Sequence, residues 1–101
     1  MKMIKWASDI LKANLHEARK YIDKAYELRD THQQAAEWCK EMAMKHIEFN
    51  AKGHDLVKKL IAEAETKQSP LGPGMMVVFN DIHADLIREQ AEIAAMISAY
   101  K

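Results

Sequence analysis

Residues 35–64 read AAEWCKEMAMKHIEFNAKGHDLVKKLIAEA, a run with no proline and a single glycine. Cys39, Met42, Ala43, Phe49, Leu56, Val57, Leu60, Ile61 and Ala64 recur in it at three- and four-residue steps, with His46 and Gly53 filling the gaps. That period marks a long amphipathic helix. At about 100° per residue its apolar face covers roughly half the circumference, wider than one neighbouring helix can bury. His46 lies near the middle of this face, with Asn50 beside it.

Upstream, the spacing predicts a first helix over 3–29. Its inward stripe is Ile4, Ala7, Ile10, Leu11, Ala18, Tyr21, Ile22, Ala25 and Leu28, and Asp9, His16, Lys20 and Asp23 fall on the opposite side. Asn14 is the polar residue that points along the stripe. Asp30-Thr31 then breaks the pattern, and Thr31-His32-Gln33-Gln34 fits a capping box that opens the second helix, 32–66. A turn this short makes the two helices antiparallel.

Downstream, Gln68-Ser69-Pro70-Leu71-Gly72-Pro73-Gly74 predicts a loop. It is too short to carry the chain back along a helix, so a third helix, 76–100, must double back. Its stripe is Phe79, Ile82, Leu86, Ile93 and Ile97, with Gln90 in line and His83 at the edge. The expected fold is all-α: one domain over 1–101, a three-helix up-down-up antiparallel bundle with a long central helix. Three helices leave one side of the broad second helix uncovered, and self-association is the simplest cover. Trp6 and Trp38 flank the stripes as candidate anchors for such a contact, and the seven methionines suit an adaptable core.

Composition narrows the function classes. Lys plus Arg and Asp plus Glu number 15 each in 101 residues, which removes the basic footprint of a nucleic-acid binder. No stretch approaches the ~20 apolar residues of a membrane span. The opening Met1-Lys2-Met3-Ile4-Lys5 breaks its apolar run with charges and makes a poor signal peptide. Cys39 is the single cysteine, so no internal disulfide can form. A cytoplasmic protein is expected, a homo-oligomer with a further protein partner possible, and no nucleic-acid or membrane partner.

Levelling antiparallel helices about turns near Thr31 and Leu71 brings Asn14, His46, Asn50 and Gln90 within about two helical turns of one another, all facing inward. Glu17, level with His46, is placed to orient its ring. This cluster of Asn14, Glu17, His46, Asn50 and Gln90 is the candidate site. As a hydrogen-bonded layer it would fix the register of the bundle; as an open pocket it would hold a small ligand or a metal; a histidine also suits proton transfer.

Metal ligation finds little else. His46 and His54, eight residues apart, stand about 12 Å apart along the axis. His46 and Asn50 converge, but an amide is a poor transition-metal ligand. His16 and His32 fall on exposed or terminal positions, and His83 matters only if an oligomer brings another histidine beside it. No metal or cofactor is expected.

The pair of long helices resembles the first half of ferritin-like di-iron proteins, with Glu17 in the place of the first ligand. The family's Glu-x-x-His is missing, because Glu41 precedes His46 by five residues. The three-helix architecture also resembles the lactose-type phosphocarriers of sugar phosphotransferase systems, which associate as trimers. There Asn80-Asp81 echoes the Gln-Asp of the family's His-x-Gln-Asp-His run, while Val78 and Ile82 stand where the histidines belong, so the phosphoryl acceptor is lacking.

The remaining signals are bland. Gly53, Gly72 and Gly74 make no phosphate-cradling loop. Ser8, Ser69 and Ser98 align with no His and acid, and Cys39 on an apolar face is inert packing. Gly53 in mid-helix costs about 1 kcal/mol against Ala, which close helix approach or space for a ligand would explain. The expected function is that of a small non-catalytic interaction or assembly protein. The alternative is a binding protein for a small ligand or metal at His46.

Overall fold

The computed structural model describes residues 2–66 and 73–101. They form three helices, α1 (Lys2–Leu28), α2 (Gln33–Thr66) and α3 (Pro73–Ala99), and no strand among the described residues. The molecule is a rod of 58 × 17 × 16 Å. Its length follows from α2, whose 34 residues span about 51 Å at 1.5 Å per residue.

The helix ends differ from the sequence pattern in two places, each for a local reason. Thr31 does not cap α2. Its Oγ1 lies 2.9 Å from His32 Nδ1, and the His32 carbonyl takes the Ala36 amide at 2.9 Å, so His32 is the capping residue and α2 begins at Gln33. The amides of Thr31 and His32 both return to the Leu28 carbonyl, at 3.2 and 2.8 Å, and close α1. At the other junction, α3 starts at Pro73, three residues before the expected position. The first position of a helix needs no amide hydrogen and suits the fixed φ of proline. Pro73 and Gly74 therefore belong to the helix, and the rest of the expected loop, 68–72, lies outside the described residues.

Buried positions recur in sevens. On α1 they are Ile4, Leu11, Ala18 and Ala25, interleaved with Ser8, Leu15 and Ile22. On α2 they are Ala36, Ala43, Asn50, Val57 and Ala64; on α3, Phe79, Leu86 and Ile93, continued by Tyr100 just past its end. A seven-residue repeat is the coiled-coil period, which winds helices left-handed about one another. The broader stripe read from sequence is thereby narrowed. Ile10, Phe49, Leu56 and Ile82, expected inside, are exposed, whereas Leu15, absent from the stripe, is fully buried.

Small residues set the spacing of α1 and α2. Ala7, Ala18, Ala25, Ala36 and Ala43 all lie in the core, and Leu11 packs onto Gly53. Ile4, Ala64 and Phe79 join all three helices near one end of the rod. Near the other end, the Tyr26 hydroxyl donates to the Met96 carbonyl at 2.7 Å, and Tyr26 meets Tyr100 edge-on at 5.3 Å. Between them, Arg19 reaches Glu92 at 3.2 Å and Glu89 at 3.8 Å.

Candidate functional site

The five residues picked out by the sequence fall into two groups. Between α1 and α2, Asn14 holds His46 twice. Its Nδ2 donates to the His46 backbone carbonyl at 2.7 Å, and its Oδ1 faces His46 Nδ1. An amide oxygen only accepts, so Nδ1 carries the imidazole proton. Tyr21 stacks on the same ring, with centres 5.5 Å apart and planes 20° apart. The orienting role assigned to Glu17 belongs to Asn14; the Glu17 carboxylate pairs at the surface with the Lys20 ammonium at 3.3 Å. Asn14, Met42, Lys45, His46 and Phe49 line an open hollow of about 340 Å³.

One turn along α2, Asn50 is fully buried and donates from Nδ2 to the Leu11 carbonyl at 3.0 Å. Its Oδ1 is buried with no hydrogen-bond partner. Gln90, half-buried on α3, likewise has an unpartnered buried Oε1. No hydrogen bond between Gln90 and the His46 pair is present among the described residues. The polar layer predicted as one cluster is thus a closed Asn14–His46 pair, with orphaned amide oxygens on α2 and α3.

Those oxygens lie on the same two helices as a pair that sequence reasoning missed. His54 of α2 and His83 of α3 meet edge-on, ring centres 5.0 Å apart and planes at 83°. All four of their ring nitrogens are buried and unpartnered. Burial is the first cause that lowers the pKa of each below the ordinary 6.5. The His83 and Lys58 charges lower His54 further, against an opposing Asp55, and Lys58 also lowers His83. The early start of α3 at Pro73 is why the pair escaped notice, since it moves His83 towards the level of His54. One signal was available: His83 and Gln90 are seven apart, beside the apolar line of Phe79, Leu86 and Ile93. Among the described residues, no three His, Cys, Asp or Glu side chains converge as a metal-binding group.

The outer face of α1 and α2 is of another kind. Trp6 (58% exposed), Ile10, Phe49 (52%) and Leu56 stand in water around a wholly apolar cleft of about 100 Å³, floored by Ala7, Leu11 and Gly53. No helix among the described residues is long and apolar enough to cross a membrane. Neither a family model, nor a curated protein, nor a solved structure matches the chain.

Proposed function

We propose that this chain is a small non-catalytic assembly protein: an up-down-up antiparallel three-helix bundle that associates with a second copy of itself through the outer face of α1 and α2. Support for the helix arrangement comes from contact order. Leu11 meets Asn50 while Asn14 meets His46; His54 meets His83 while Lys40 meets Tyr100; Arg19 meets Glu92 while Tyr26 meets Met96.

The observation that carries the assembly reading is the cleft over Gly53 with Trp6, Ile10, Phe49 and Leu56 around it. Large exposed rings beside an apolar recess are what a surface needs to mate with its own copy about a twofold axis, where each patch supplies both knob and hole. Balanced charge, 15 basic against 15 acidic residues, leaves no net repulsion between copies. The rival reading, a ligand or metal pocket at His46, has less support: among the described residues no three His, Cys, Asp or Glu side chains gather there, and the hollow beside the ring is lined by Asn14, Met42, Lys45 and Phe49.

Sedimentation velocity across a micromolar concentration series tests the proposal. The wild-type chain should sediment as a dimer or larger, and Trp6→Lys or Phe49→Lys should give a folded monomer by sedimentation and circular dichroism. A wild-type chain that stays monomeric throughout the series refutes it.

A further inference from the structure

We propose that His54 and His83 form a two-nitrogen binding site for a divalent transition-metal ion of the zinc class. Two imidazoles on one tetrahedral ion, each at a metal–nitrogen distance of ~2 Å, hold their ring centres about 5 Å apart. The two rings stand at 5.0 Å, turned 83° from one another. Packing alone does not account for them. A neutral imidazole has one nitrogen that donates and one that accepts, and buried polar atoms are nearly always satisfied. Here all four nitrogens of two touching rings are buried without a protein partner.

An oxygen beside the pair suits an ion, against the Lys58 charge that acts on both imidazoles. A histidine that binds a metal through one nitrogen gives its other N–H to an oxygen that fixes the ring. Asn50, one helical turn before His54, offers a buried and otherwise unpartnered Oδ1, and its amide is oriented by the bond from Nδ2 to the Leu11 carbonyl. Imidazole nitrogen selects zinc, copper or nickel over magnesium and calcium, and binding requires the neutral ring, the form that burial favours in both residues. Two protein nitrogens leave the other positions of the ion to water or a small anion. The site lies between α2 and α3, so it makes no demand on the outer face of α1 and α2.

Calorimetric titration of the metal-stripped 101-residue chain with zinc chloride tests the site. One ion per chain should bind, and excess magnesium should not compete. His54→Gln and His83→Gln should each weaken binding by at least about tenfold, the scale on which loss of even one ligand-orienting group acts. His16→Gln, at an exposed position, should leave it unchanged. A readout that needs no variant is the imidazole ¹⁵N spectrum of the folded wild-type protein, in which zinc should move the resonances of His54 and His83 and leave those of His46 in place. No saturable zinc uptake, or uptake that moves only other histidines, would overturn the proposal. So would uptake that survives both substitutions.

Discussion

Leu11 rests on Gly53 so closely that a methyl group at position 53 would run into its Cδ2, with Leu11 Cγ 3.2 Å and Cδ1 3.4 Å from the same point. The glycine therefore sets how near α1 and α2 approach, and it floors the apolar cleft between them. Gly53→Ala would gain about 1 kcal/mol of helix propensity and lose about 1–3 kcal/mol by crowding a buried leucine. The expected net result is a loss of about 1 kcal/mol in urea unfolding. Leu11→Ala should couple to it, the double variant being less destabilised than the sum of the singles. Strict additivity would mean that the two residues do not share the space.

Asn14→Ala leaves the His46 Nδ1 proton without its acceptor in a half-buried site, and a loss of about 1–3 kcal/mol is expected. Adding His46→Leu should restore part of it, because the stranded donor is then gone. Urea midpoints of the two singles and the double measure this. A double variant weaker than Asn14→Ala alone would contradict the pairing.

Tyr26→Phe removes the hydroxyl that ties α1 to the Met96 carbonyl but keeps the edge-on contact with Tyr100. About 1 kcal/mol should be lost, and amide exchange should quicken around Met96 and Ile97 while the amides of Leu11 to Ala18 keep their protection. Uniform acceleration over all three helices would argue against a local tie.

Acid should weaken the metal-free fold through His54 and His83. Their folded-state pKa values lie below 6.5, so beneath that value the unfolded chain binds more protons than the folded one. The stability these groups contribute is complete above 6.5. It falls as pH drops through the lowered folded-state values and levels off beneath them. Thermal melts with chelator at about pH 7.5 and about pH 5.5 should show the loss, and His54→Gln with His83→Gln should flatten it. A double variant with the wild-type slope would place the acid sensitivity elsewhere, for instance in the surface carboxylates.

Much of the helical layout was legible in the sequence, because long runs without proline and with apolar residues three and four apart admit one secondary structure. The α1 and α2 bounds shifted by one residue at most. What the pattern hid was phase. Ile10, Phe49, Leu56 and Ile82 satisfy the helical period as well as their buried neighbours do, and exposed Phe49 and Leu56 even stand seven apart, so the repeat alone does not separate the seam from its flank. Register was the second difficulty. The levels of Asn14 and His46 came out close because the turn between α1 and α2 was short and well placed. Pro73 looked like a breaker yet opens α3, and that small error concealed the meeting of His54 with His83. Glu17 and Asn14 are nearly one turn apart on the same helix, and nothing short of coordinates decides which of them reaches the imidazole.

The line Phe79, Leu86, Ile93, Tyr100 also makes the last helix intolerant of single-residue editing. Deleting a single residue between Leu86 and Ile93 would swivel everything beyond it by about 100°, carrying the Tyr100 ring away from Tyr26 and Lys40. Dropping three residues or adding four, by contrast, nearly restores the facing side and merely slackens the winding. Insertions into this segment are thus accepted or refused by their length before their chemistry matters.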